Sequence, residues 1–327
     1  MNMKLVTKLL AGVTFAGALQ AAAAFEPGDT ECIAPANRGG GWDFTCRQIG
    51  QLLSDMDLVP GAVKVTNMPG AGGGVAFEYV VRERGNDPNL LVAASTSTIT
   101  QLAQKQFPDM DPSKVRWLAA LGADFGVIAV AKDSPFQTLG DLVTALKEDP
   151  AAVNVGGGSA IFGFDHLKLL QVAKAGGVSD LTQIKYIPYQ GGGEALLQVL
   201  SGHLQAVAGD VSEVVGYLES GEARALAVLW EERLPGALAE IPTATEQGVN
   251  VVAPNWRGFY LPKDASDDAY AYWADAMRQV YESAQWKEIM ARSGLLPFWK
   301  SGDELQAFIQ QQLADIEALS REVGLID

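Results

Sequence analysis

The sequence predicts an α/β protein organised as two domains, and three observations carry that prediction. Its 327 residues are 48% hydrophobic and only 8% aromatic, enough apolar material for a large core at a length that suits two domains better than one. From residue 31 onward, short β-branched runs alternate with amphipathic helical stretches, the pattern of a mainly parallel sheet covered by helices. Gly-Gly-Gly then recurs at 39–41, 72–74, 156–158 and 191–193, each time between a strand pattern and a helix pattern.

Residues 1–24 stand outside this fold. Lys4 and Lys8 precede an apolar stretch over 9–19, and the small residues Ala21, Ala22, Ala23 and Ala24 follow. This is the order of a secretory signal, with cleavage expected near Ala24. The apolar stretch is shorter than the roughly 20 residues a membrane-spanning helix needs. Export decides how the two cysteines are read: in an oxidising compartment Cys32 and Cys46 are expected to pair as a disulfide rather than stand as separate buried thiols.

Strands are expected at 32–35, 63–67, 90–94, 126–131, 152–156, 185–189, 204–208 and 224–229. Helical spacing over 43–54 puts Phe44, Ile49, Leu52 and Leu53 near one face, and 139–146 and 194–200 behave similarly. From Asp267 the chain is strongly helical, with Tyr272, Trp273, Met277, Val280 and Tyr281 at three- and four-residue spacings that mark core.

Composition also excludes. The net charge is −15, and −17 once the two lysines of the signal are removed. With no basic run, the chain is not expected to bind nucleic acid, which needs a positive face for phosphates. Two Cys and two His are too few for a zinc cage or an iron–sulfur cluster, and no cofactor is expected. G-x-G-x-x-G fails at each glycine cluster, where Phe44, Val75, Ile161 and Leu196 stand in place of the last glycine. A serine hydrolase motif fails at Gly157-Gly158-Ser159-Ala160-Ile161 for the same reason. His166 and His203 are read as solvated or capping side chains, so no enzyme is expected. What remains is the glycine turn itself: without Cβ the backbone brings N–H groups against a ligand, and the following helix adds its partial positive end.

The segments from Glu31 to Cys46, containing Pro35-Ala36-Asn37-Arg38-Gly39-Gly40-Gly41-Trp42-Asp43, and Asn67-Met68-Pro69-Gly70-Ala71-Gly72-Gly73 resemble the Bug receptors, the extracytoplasmic solute receptors of tripartite tricarboxylate transporters. Val115-Arg116-Trp117, Asp133-Ser134-Pro135, Gly209-Asp210-Val211, Arg233-Leu234-Pro235-Gly236 and Arg257-Gly258-Phe259-Tyr260 extend the likeness along the mature chain, nearest to the citrate and tricarboxylate branch. Arg38 departs from it, since many members have proline there.

The resemblance implies a two-lobed periplasmic binding protein. Two α/β domains, 25–124 with 251–327 and 125–250, would close over a ligand cleft, with two chain crossovers. It implies a small organic carboxylate as ligand, citrate or a related tricarboxylate first, and membrane permease subunits as partners of a monomer. A dicarboxylate or aromatic carboxylate is the alternative, since Trp42, Phe162, Phe164 and Tyr189 lie near the glycine loops. A sensory receptor shares the same cleft.

Carried onto this chain, the ligand site comprises Arg38, Gly39, Gly40, Gly41 and Asp43 on one lobe and Gly158, Ser159 and Ala160 on the other. Asp43 has two roles open, helix cap or holder of a bridging water. Ser95, Thr96, Ser97 and Thr98 follow a strand as hydroxyl donors or N-caps. Asp210 is open between a ligand hydroxyl and a helix cap, and Arg257 between a distal carboxylate and an ion pair.

Overall fold

A computed structural model describes residues 25–105, 110–189 and 191–326; the expected signal at 1–24 lies outside them. The chain alternates β1 (Glu31–Ala34), α1 (Gly41–Asp55), β2 (Lys64–Asn67), α2 (Gly74–Glu83), β3 (Leu90–Ser95) and α3 (Thr96–Ala103) before entering β4 (Val115–Ala131). There follow α4 (Leu139–Glu148), β5 (Asn154–Gly157), α5 (Phe164–Gly176), β6 (Lys185–Pro188), α6 (Gly192–Leu200), β7 (Ala206–Asp210), α7 (Val211–Glu219) and β8 (Ala223–Leu229). The return is made by β9 (Pro254–Pro262), α8 (Asp267–Glu282), α9 (Ala284–Arg292), β10 (Lys300–Ser301) and α10 (Gly302–Glu322). Among the described residues no helix is long and apolar enough to cross a membrane.

The sheet runs β2-β1-β3-β9-β4-β7-β5-β6, with β8 and β10 also pairing with β4. Its parallel pairs, β1 with β2 and β3 and β5 with β6 and β7, flank an antiparallel centre in which β9 pairs with β3 and β4, and β7 and β8 with β4. The expected mainly parallel sheet is therefore corrected at its middle. β4 is the reason: Val115 to Phe125 pair with β9, and Gly126 to Ala131 pair with β7 and β8. One strand thus belongs to both halves of the molecule. Its first part is rich in Ala, Leu and Gly and carries no strand signature; pairing on both edges holds it extended.

The first half is layered. Ile49, Leu53, Trp273, Met277 and Trp286 pack on one face of the β1–β3 sheet, while Phe77, Val80, Ile99, Leu305 and Ile309 join the core on the other. Two fully buried indoles there have their N–H satisfied, Trp273 donating to the Pro88 carbonyl at 2.7 Å and Trp286 to that of Leu121 at 2.8 Å. These aromatics are core, as their spacing predicts. Cys32 on β1 and Cys46 on α1 form a disulfide, which ties down both ends of the glycine loop between them.

Candidate functional site

The β1–α1 loop is held open by a clamp placed behind it. Asp43, in the first turn of α1, accepts the Gly39 N–H at 2.9 Å, Arg47 Nε at 2.9 Å and Asn67 Nδ2 at 2.8 Å, and Asn67 also donates to the Ala36 carbonyl at 3.0 Å. Burial alone would raise its pKa, but these donors hold the carboxyl below the usual range. Gly39 sits at φ +87°, left-handed backbone that glycine adopts without strain. Gly40 is the N-cap and offers no side chain, so α1 begins with its first amides uncapped.

Against that helix end lies Arg257, 8% exposed on β9. A β-carbon on Gly41 would stand 2.6 Å from its Nη1, so only glycine leaves room for the guanidinium. Nη2 is 3.2 Å from Asp124 and 3.5 Å from Asp210. Ser95 caps α3, accepting the Ser97 N–H at 3.1 Å, and takes part in a capping box with Thr98.

The opposite wall comes from the second half of the chain. Lys168 on α5 is fully buried and donates to Asp165 at 2.8 Å, to the Gly209 carbonyl at 3.0 Å and to Asp210. All three ammonium donors are spent internally. Asp165 also accepts the Gly158 N–H at 2.9 Å. Glu213 fills the start of α6, accepting Gly192 N–H at 3.0 Å and Asp210 N–H at 3.2 Å. A β-carbon on Gly158 would be 2.2 Å from Gly192 N, so this glycine permits two backbones to touch.

Charge is crowded here. Burial, then the neighbouring Asp165 and Asp210, push the Glu213 carboxyl up to about 7. Burial and Asp210 push Asp124 up to about 6 against the pull of Arg257 and Ser212. Burial also raises Asp165. Asp210 is lowered: burial opposes ionisation, but Lys168, Arg257 and Asn255 outweigh it. Among the described residues no group of three or more His, Cys, Asp or Glu is arranged to hold a metal.

These walls enclose a cavity of about 710 Å³. Of the residues singled out in the sequence, Arg38, Gly39, Gly40, Gly41, Ser95, Ser97, Gly158, Ser159, Asp210 and Arg257 line it. Asp43, Thr96 and Ala160 do not. Asp43 works behind the loop and leaves the helix amides free, Thr96 donates to the Pro254 carbonyl at 2.8 Å, and Ala160 is exposed beside the wall. Arg257 stands beside Gly41 of the first glycine loop and is ion-paired with Asp124 and Asp210.

Asp210 ends β7 as expected, with its carboxylate turned to Lys168, Asn255 and Arg257. The cluster at 156–158 is no turn: Gly156 and Gly157 are strand residues, and α5 begins only at Phe164. Of the aromatics considered for ring stacking, Trp42 lines the cavity, joined by Phe44. Phe162 instead packs on His166 with ring centres 5.1 Å apart, and Phe164 lies under Lys168. His166 is buried rather than solvated, stacked on Tyr186 and accepting the Phe162 N–H at 2.9 Å, and burial lowers its pKa to about 4. Ser159 Oγ accepts the Asp165 N–H at 3.0 Å and lies 3.3 Å from the Tyr186 hydroxyl.

Sequence reasoning missed Asp165, Lys168, Glu213, Asn255 and Asp124. Two signals existed: Asp165 and Lys168 stand three apart on one helix, and Asp210 with Glu213 has capping-box spacing. Asn255 and Asp124 carry none.

A family model described as tripartite tricarboxylate transporter family receptor matches residues 47–325. The chain is 26% identical over 345 residues to the protein BugT of Bordetella pertussis, covering 99% of each. Among solved structures it is similar to MatC of Rhodopseudomonas palustris with bound malate, at TM-score 0.77, 19% identity and coverage of 90% of this chain and 99% of that one. It is also similar to an R. palustris protein with adipate, at TM-score 0.80 and 20% identity, covering 90% and 97%.

Proposed function

Because the chain belongs to the tripartite tricarboxylate transporter receptor family, a family of solute receptors and not of enzymes, we propose that it is an exported periplasmic receptor. It closes two lobes over a small organic carboxylate and delivers it to membrane permease subunits. The observation that carries this reading is the uncapped start of α1 with the Arg257 guanidinium laid against Gly41. Free amides, a helix dipole and a delocalised cation converge there on one point, which suits a carboxylate.

The malate and adipate of the related proteins widen the expected ligand from citrate or another tricarboxylate to dicarboxylates. The lobes are 25–124 with 251–327 and 125–250, joined through β4 and β9. Support for that division is the exchange of β4 partners after Phe125, where β9 pairing also starts at Pro254. The pair of strands acts as the hinge. An overall acidic protein tolerates an acidic ligand because long-range repulsion is screened over about 8 Å, whereas the cleft field is set by contacts.

Isothermal titration of the mature protein against a panel of mono-, di- and tricarboxylates tests this. Binding should raise the melting temperature, since ligand at about 100 times Kd adds about 2.7 kcal/mol. If no carboxylate binds, the reading is wrong.

A further inference from the structure

In the second half of the molecule the sheet ends at β8, which pairs with β4 alone. Just beyond that antiparallel pair Lys132 N–H donates to the Glu222 carbonyl at 3.0 Å, and Ala131 stands opposite Ala223 one step along. Hydrogen-bonded and non-hydrogen-bonded pairs alternate in such a ladder, so the N–H and C=O of Ala223 and Ala225 turn away from β4, towards the open side. Val228 is turned the same way but is covered, its N–H donating to the Pro242 carbonyl at 3.0 Å and its carbonyl accepting the Ala244 N–H at 2.9 Å. The Leu226 carbonyl takes Gln247 Nε2 at 2.8 Å. Cover stops there: among the described residues no hydrogen bond reaches the outward groups of Ala223 and Ala225.

This uncovered edge borders a cavity of about 700 Å³, and no described residue lines both it and the cleft. Leu218, Leu238, Ile241 and Pro242 supply its apolar side. Outward N–H and C=O groups at strand spacing beside an apolar surface suit an extended chain, which gains affinity from backbone bonds and seats alternate side chains on the floor. Charge selects which chain. Glu219 and Glu240 stand exposed in the lining, and among the described lining residues the one cation, Arg224, is turned to the Ser134 and Phe136 carbonyls at 3.2 and 3.0 Å. A second copy paired edge to edge would set these acids against their own counterparts, on a chain of net charge −15.

We propose that the β8 edge is a docking site for a partner protein, which adds an extended, lysine- or arginine-bearing segment as a strand beside Ala223 and Ala225. The basic side chains of that segment face Glu219 and Glu240. The inference goes beyond the receptor reading and needs no ligand in the cleft.

The test is fluorescence anisotropy of a labelled peptide of alternating Lys and Val, about six residues long to match a strand, titrated with the protein. Binding should be saturable and should weaken about 10-fold or more in Ala225→Pro, whose ring removes the outward N–H and leaves the bonds to β4 in place. N-methylation of the peptide's backbone amides should cause a similar loss, and Glu219→Gln with Glu240→Gln a smaller one of about 3-fold. Thermal melts establish that the variants fold, and Ala223→Pro takes the place of Ala225→Pro if that one does not. Absence of binding would overturn the proposal. So would binding that a folded proline variant leaves unchanged, which would show only charge attraction to an acidic chain. Equal or tighter binding of the peptide with Glu in place of Lys would overturn it as well, and so would a wild-type dimer that the proline dissociates, since that gives the edge to a second copy.

Discussion

Two glycine turns face each other across the cleft and have opposite fates. The turn before α1 leaves its helix amides uncapped, because Asp43 is tied back to Gly39, Arg47 and Asn67 behind the loop. The turn before α6 is already filled by the chain's own Glu213, which accepts Gly192 N–H, and Gly158 packs against it. Sequence spacing makes them look alike. A helix start becomes a ligand site only where the protein has not supplied an anion of its own.

The largest effect should come from removing the cation at the open turn. Arg257→Met is expected to weaken carboxylate binding by about 2–5 kcal/mol, read by titration calorimetry, because it strips a buried charge partner and also leaves Asp124 and Asp210 unpaired. Unchanged affinity would show that the open turn binds through amides alone. Next, Cys32→Ser with Cys46→Ser should lower unfolding free energy by about 3 kcal/mol in a denaturant titration, since the bridge closes a loop with sequence separation 14. Affinity should fall as well, because the same bond steadies the open turn.

The filled turn is tested by Gly158→Ala, whose methyl would overlap the backbone at Gly191 and Gly192. A loss of about 1–3 kcal/mol in thermal stability is expected from overpacking. The smallest change is in pH dependence. With its folded pKa raised from 4.5 to about 7, Glu213 favours folding most below pH 4.5, and that contribution is lost as pH rises through 7. Asp124, raised to about 6, acts in the same sense. His166, lowered from 6.5 to about 4, acts oppositely and loses its contribution as pH falls. Melting temperatures of wild type and Glu213→Gln between pH 4 and 8 should therefore converge on acidification and separate towards pH 8, with the variant the more stable. Parallel profiles would remove Glu213 as the titrating anion of the filled turn.

Much of the fold was legible along the chain. The short apolar runs at 90–94 and 224–229 became β3 and β8, and the apolar spacing from Asp267 became α8. What escaped was β9 and the first part of β4. Pro at both ends of one, and Ala, Leu and Gly through the other, give no periodic mark, and only neighbours on either edge make them strands. The site divides in the same way. Its glycine loop and Arg257 stood out by residue type, while Asp165, Lys168, Glu213, Asn255 and Asp124 are ordinary polar residues until folding gathers them.

Sequence alone therefore determined the α/β class, the paired cysteines, the lack of catalytic and nucleotide motifs and the family resemblance, because these rest on local pattern and composition. Tertiary structure alone decided which glycine turn is open, that Lys168 is spent and that Arg257 lies at Gly41. Charges remote in the chain act on one another only once burial strips their water and brings them within a few ångströms.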